Sequence, residues 1–479
     1  MTDHEARKQQ PVCLIDQERY KKHGRIYGAY EQGKPCLFVA EPRLVKQCLV
    51  KDFHLLPNRK RQLPGDSLRY ITMFLASADR WRTIRPASSP AFSTGKLRKM
   101  NALIQECARI TCKHLESFAE RNDDIDVKRF FGKYSLDVIA RCAFGTRIDS
   151  HTDATNEFVT QAAKVLSPGL SWWSLITVLF PGLLTFLSSL MPKDEEFEYF
   201  RNVCQRIINE RRQNGKRQED FLQLMMDAHD GNLASSDDGS VELHEKLFHD
   251  GSEANVTTPT NSKRLSELEA LAQCVLFFVA GQETTSTTIA VTAYLLALNP
   301  DVQEKLRKEV DDCIATNGPE PSLDVISRLK YLNCVVSEAL RLFPVAPRLQ
   351  RSGDIDYVLG DTGIKLPKGC SLYIPVYAMH HDPELFPDPE SFRPERFSEE
   401  NVDSIQPYTY LPFGAGPRNC IGMRFALQSV KLCLLHSLHS VEFFRSDNTK
   451  VPLTINKGPG VMSIEEIIVG TRRRPERHD

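Results

Sequence analysis

Ten residues near the C-terminus constrain this chain more than any other part of it: Phe413-Gly414-Ala415-Gly416-Pro417-Arg418-Asn419-Cys420-Ile421-Gly422. A cysteine stands on a glycine-rich turn directly before a helical stretch whose one face carries Ala426, Val430 and Leu434. A helix N-terminus lowers a thiol's pKa and stabilises the thiolate. The glycines let the backbone pass close to a flat ligand and aim amide N–H groups at sulfur. These residue types in this order suit a thiolate that ligates a metal. The plainer reading is a buried structural cysteine beside a glycine turn.

The other cysteines sharpen that choice. There are 13, scattered singly, with no Cys-x-x-Cys pair. This argues against a disulfide framework or a zinc ribbon and for a reducing, cytosol-facing environment. The formal net charge is -1, which gives no global electrostatic case for nucleic acid. Apolar residues make up 41%, enough for a large core. Met1 to Pro11 is polar, so no signal peptide or N-terminal anchor is expected there.

Along the chain, helix predominates. Ile26 to Ala40 alternates between turn signals and reads as a hairpin. Lys96–Phe144, Phe197–His229, Pro321–Phe343 and about Ile421–His439 carry helical patterning, and Tyr357–Pro375 reads as short strands. Ser266 with Glu269 forms a capping box that opens a long helix running to Asn299, where Pro300 ends it. Residues from about Asp230 to Lys263 are polar and weakly periodic, as in a long mobile loop. Gly169–Pro192 is almost uncharged and includes Trp172 and Trp173.

Three further strings bear on chemistry. Ala280-Gly281-Gln282-Glu283-Thr284-Thr285-Ser286 lies midway along the long helix; a carboxylate beside hydroxyls in an apolar stretch suggests a proton path. The bland alternative is a Ser/Thr-rich helix packing on its neighbours. Glu338-Ala339-Leu340-Arg341 puts two opposite charges on one helix face, commonly a surface ion pair. Trp81 and Arg85 stand one turn apart in Trp81-Arg82-Thr83-Ile84-Arg85.

Together these motifs resemble the cytochrome P-450 superfamily. Phe-x-x-Gly-x-Arg-x-Cys-x-Gly, with Phe413, Gly414, Arg418, Cys420 and Gly422, is similar to its haem-binding signature. Leu411–Ala426, Ser89–Met100 and Pro394–Phe397 resemble the animal microsomal family three, most nearly subfamily 3A, and the likeness covers nearly the whole chain. The resemblance implies a mainly α fold with a minor β-sheet region, one domain over 1–479. Heme b (iron protoporphyrin IX) would lie between the long helix and the cysteine loop, with Cys420 as iron ligand. Such ligation favours O–O cleavage.

It further implies Glu283 as an acid in the proton relay and Thr284 as a hydrogen-bond donor at the oxygen site. Ala280 would lie over the haem. Arg85 and Arg418, with Arg59 and Arg351 from closer relatives, would neutralise haem propionates, and Trp81 would bind the cofactor beside them. Glu338, Arg341 and Arg396 would form a buried structural network. Phe74, Leu75, Leu276, Val279, Ala280, Thr284, Val345 and Ala346 would line an apolar substrate pocket, although an apolar stripe is more often core.

The activity implied is monooxygenation by O2 of small hydrophobic, xenobiotic or steroid-like molecules, with electrons from NADPH through NADPH–cytochrome reductase. The place implied is the cytosolic face of the endoplasmic reticulum membrane. Residues 169–192 would touch the membrane, and Arg82, Lys96, Arg98, Lys99, Arg424 and Lys431 would meet an acidic reductase surface. Two departures stand out: the membrane anchor of relatives precedes the start of this chain, and the 230–263 loop is longer than usual. Open alternatives are a reductase-independent haem-thiolate isomerase or dehydratase acting on peroxides, and a non-catalytic haem-binding protein.

Overall fold

A computed structural model describes residues 10–31, 33–59, 71–153, 156–166, 195–215, 217–218, 220–231, 264–458 and 460–474. The apolar segment 169–192 lies outside the described residues, as does the expected loop 230–263 beyond Gly231.

The chain opens with α1 (Val12–His23) and the expected hairpin, β1 (Ile26–Glu31) and β2 (Lys34–Val39). Helix α2 (Ala78–Ser88) leads into α3 (Thr94–Glu120), and β3 (Asp124–Asp126) separates it from α4 (Val127–Phe144). The helical pattern over 96–144 is therefore two helices. Asp126 makes the break: its carboxylate accepts from the N–H groups of Lys128 and Arg129, capping α4. Then come α5 (Glu195–Asn214) and α6 (Phe221–Asp230).

The long helix is α7 (Glu267–Leu298), opened by the Ser266–Glu269 capping box. Pro300 is the first residue of α8 (Pro300–Asn317), where its missing N–H is harmless. Helix α9 (Lys330–Leu342) precedes β4 (Leu349–Ser352), β5 (Tyr357–Val358), β6 (Lys365–Leu366) and β7 (Ser371–Ile374). The chain ends with α10 (Met423–Ser440), β8 (Val441–Phe444) and β9 (Ile468–Arg473).

Helices dominate, with a four-stranded sheet in the order β1-β2-β7-β4, a three-stranded sheet β3-β9-β8 and the pair β5-β6. Helix α7 is the spine. Its C-terminal half packs with α3, α4, α9 and α10 in the main core, around Ile104, Phe131, Leu296, Val336 and Leu434. Its N-terminal half packs in a second cluster with α5 and α6, where the rings of Phe200 and Phe278 are 4.2 Å apart. Although α7 is long and apolar enough to span a bilayer, it is mostly buried within the protein.

The middle of α7 breaks this burial. Ala280 is exposed, and Val279 and Gly281–Thr284 are half-buried, between flanks that are buried on both sides. Gly281 lets α4 approach there: a Cβ on it would stand 2.4 Å from Ile139 Cδ1.

Candidate active site

The cysteine loop is shaped by its own backbone. Gly414 and Gly416 have φ of 71° and 72°, a region open to glycine. A Cβ on Gly416 would lie 2.0 Å from the carbonyl oxygen of Leu49, so only glycine fits this turn. The N–H of Cys420 donates to the carbonyl of Phe413 (2.9 Å), closing the loop just before Gly422 caps α10.

Cys420 is exposed by surface area, yet protein surrounds it at longer range. Arg59 and Arg85 show the same combination, partial exposure within dense surroundings, which suits groups lining a concave interior wall. Desolvation pushes the Cys420 thiol up, while the Gly422 N–H, Arg85 and Arg59 pull it down. A metal cation at the sulfur would add to the lowering side.

Arginines gather on this side. Arg85 grips Asn419 through its carbonyl (3.0 Å) and its Oδ1 (2.7 Å). Arg418 donates to the carbonyl of Ala76 (2.8 Å), and its guanidinium lies 4.9 Å from the centre of a Trp81 ring. Trp81 is buried, so its place is beneath Arg418. Arg59 donates to the carbonyls of Arg418 (3.1 Å) and Phe74 (3.2 Å). Arg351, fully buried on β4, donates to the carbonyl of Gln350 (2.8 Å).

Among the described residues none of these four guanidiniums is paired with a carboxylate, and Nε of both Arg351 and Arg418 lacks a partner. Burial depresses all four: Arg59 and Arg85 to about 10, Arg418 to about 9 and Arg351 well below its ordinary value. Arg351 is also repelled by Arg59 and Arg418. Buried cations without anions are costly. A flat dianionic ligand resting on Cys420 is the kind of group this wall fits, as haem with its two propionates would.

Beneath the loop, Glu338 and Arg341 are both fully buried. Glu338 accepts two hydrogen bonds from Arg341 (2.8 Å each), one from the Arg393 N–H (2.9 Å) and one from Arg396 Nε (3.2 Å). Arg341 also donates to the carbonyl of His380 (2.8 Å). His380 extends the network, and the sequence reading missed it. Its Nδ1 donates to the Arg341 carbonyl (3.1 Å), so Nε2 carries the lone pair that accepts the Leu411 N–H (2.9 Å). The Glu338 cluster thereby reaches Leu411, in the irregular segment that leads into the cysteine loop. The only sequence signal was the pair His380-His381 shortly after the strand-like stretch Tyr357–Pro375.

The half-buried middle of α7 carries the Glu283–Thr284 pair. The Thr284 hydroxyl donates to the Ala280 carbonyl (2.7 Å). In this arrangement the hydroxyl proton is engaged by the helix backbone, and the oxygen keeps its lone pairs as acceptors. Glu283 is ion-paired with Lys128 of α4 (2.7 Å), a second residue the sequence reading missed. Lys128 is buried and also donates to Ser286 Oγ (3.1 Å) and Thr287 Oγ1 (2.8 Å). Burial lowers its pKa, opposed by Glu283.

Of the expected pocket residues, Phe74 is exposed, and Leu75, Leu276, Val279 and Ala346 are half-buried. Val345 is buried, and its carbonyl accepts the Met462 N–H (2.8 Å). On the expected reductase face, Arg82, Arg98 and Lys99 are exposed and Lys96 and Arg424 half-buried. Lys431 is a correction: on α10 it is only 5% exposed, too buried to form part of that face.

A family model described as Cytochrome P450 matches residues 4–469. The chain is 38% identical to "Cytochrome P450 3A5" of Homo sapiens over 465 residues, 96% of this chain and 87% of the relative. It is 36% identical to "Cytochrome P450 3A11" of Mus musculus over 461 residues, 95% of this chain and 86% of the relative. With "Cytochrome P450 3A2" of Rattus norvegicus the identity is 37% over 449 residues, 92% and 84% of the two chains.

Proposed function

Because the chain belongs to the cytochrome P450 family, and is therefore a haem-dependent monooxygenase using O2, a hydrophobic substrate and a redox partner, we propose that it oxidises xenobiotic or steroid-like molecules with electrons from NADPH–cytochrome reductase. The observations that support this reading are the glycine-shaped Cys420 loop with its carboxylate-free arginines and the break in burial at the middle of α7, where Glu283 and Thr284 stand.

Haem, when bound, supplies an iron centre that activates dioxygen. Cys420 would hold it, with Gly422 N–H steadying the thiolate. Arg59, Arg85, Arg351 and Arg418 would neutralise the propionates, and Ala280 would leave room above the ring. Thr284, with its proton on the Ala280 carbonyl, would accept a hydrogen bond from water and so hold a proton carrier in place. Glu283 would take protons from solvent and give them up toward Thr284, and Lys128 would set how readily that carboxylate swings. Phe74, Leu75, Leu276, Val279, Val345 and Ala346 would exclude water and hold an apolar substrate.

The exposed cations Arg82, Arg98 and Lys99 support docking of an acidic reductase surface on the cysteine side. Residues 169–192 would rest on the membrane, on the cytosolic face of the endoplasmic reticulum. The test is product formation from a steroid probe. Turnover that requires NADPH and reductase supports the reading; turnover of a hydroperoxide alone, without reductase, sinks it in favour of an isomerase.

A further inference from the structure

The segment Ile71–Ala76 carries Phe74 and Leu75 yet belongs to no sheet and no long helix. Its backbone groups are held instead from two sides. From the cysteine side, Arg418 donates to the carbonyls of Met73 (3.4 Å) and Ala76 (2.8 Å), and Arg59 to that of Phe74 (3.2 Å). From the α7 side the Gln273 amide holds it. Gln273 Oε1 accepts the Met73 N–H (2.7 Å), and its Nε2 donates to the Ile71 carbonyl (3.1 Å) and the Glu269 carbonyl (2.9 Å).

Gln273 has no exposed surface, so each of these bonds is made away from water, where an unmade one is costly. The pattern also fixes the amide orientation, because a flipped side chain would set its oxygen against two carbonyls. The bond to the i−4 carbonyl uses only one of the amide's N–H donors. Two of these three bonds instead reach a segment some two hundred residues away in sequence.

We propose that Gln273 is a positioning residue for substrate specificity: its amide clips Ile71–Ala76 to α7 and so sets how far Phe74 and Leu75 stand from the exposed middle of that helix. The cysteine-side anchors, Arg59 and Arg418, stay in place when the clip is removed. The segment then pivots on them, and large ligands that reach Phe74 feel the change while small ligands near Cys420 do not. This rests on the pocket assignment made above for the monooxygenase.

The test uses the haem-loaded protein with Gln273→Met, which keeps the side chain's length, and Gln273→Glu, which keeps the acceptor and loses both donors. Hydrogen exchange at the Met73 amide should rise about tenfold in Gln273→Met, the effect of losing one buried bond. Clotrimazole, a large imidazole ligand, should bind about fivefold more weakly by spectral titration, while 1-phenylimidazole stays within about twofold.

Gln273→Glu should show the same discrimination with less change in Met73 exchange, and it carries the test if Gln273→Met takes up no haem. Unchanged exchange, or equal weakening of both ligands, overturns the proposal. Loss of the red-shifted CO band in both variants overturns it too, since the segment would then be holding the cysteine side. A wild-type protein without that band would instead defeat the monooxygenase reading, while the exchange measurement would still report on the clip.

Discussion

The two walls of the site are built on opposite principles. On the cysteine side the buried Glu338 carboxylate is bonded by Arg341, Arg393 and Arg396, and His380 carries the network to Leu411. Each contact there supports a neighbour, and the loop turns on two glycines at positive φ. On the α7 side the hydroxyls of Thr284, Thr288 and Thr292 spend themselves on carbonyls one turn back, and Glu283 hangs on one lysine. A metal ligand needs a fixed position. A proton path needs groups that can exchange partners, and weakly held groups do so at low cost.

Breaking the rigid wall should have the largest effects. Cys420→Ala should abolish the red-shifted Soret band of the reduced CO complex altogether; a retained band would mean another residue ligates the iron. Arg341→Leu leaves Glu338 buried without its main partner, and should lower unfolding free energy by roughly 3–5 kcal/mol in urea titration. A loss near that of an exposed ion pair would show that the network is dispensable.

The adaptable wall should behave otherwise. Thr284→Ala and Lys128→Met should each leave the thiolate band intact, and should cut the product formed per NADPH consumed by about tenfold or less. If Lys128→Met instead leaves coupling untouched, Glu283 needs no tether.

A further expected effect is one of pH, and it comes from buried histidines. Burial lowers His381 and His436 from 6.5 to about 4. Between those values the unfolded chain takes up protons that the folded one refuses. Stability is therefore full above about pH 6.5 and falls as pH drops toward 4, by up to about 3 kcal/mol per group. Urea unfolding at pH 7 and pH 5 measures this, and His436→Asn should flatten the slope. A slope unaltered by that change would assign the acid sensitivity elsewhere.

Local chemistry made much of this legible from residue order. The capping box at Ser266–Glu269, the hairpin at Ile26–Val39 and the glycine turn before α10 are each specified by a few adjacent residues. The pairing of Glu338 with Arg341 follows from helical spacing, for the same reason. The α4 break was harder, because Asp126 reads as one more polar residue until its carboxylate is seen to cap the helix.

What sequence alone determined, then, is the glycine-rich cysteine loop, the long helix with its carboxylate–hydroxyl pair, and the family that contains both. These depend on residues within a few positions of one another. Only the tertiary structure decided that Lys128 holds Glu283, that His380 joins Arg341 to the cysteine loop, that Gln273 clips the Phe74 segment and that Lys431 is buried. Each of those contacts is made between elements far apart in the chain. Their partners are chosen by how the helices pack, which adjacent residues do not record.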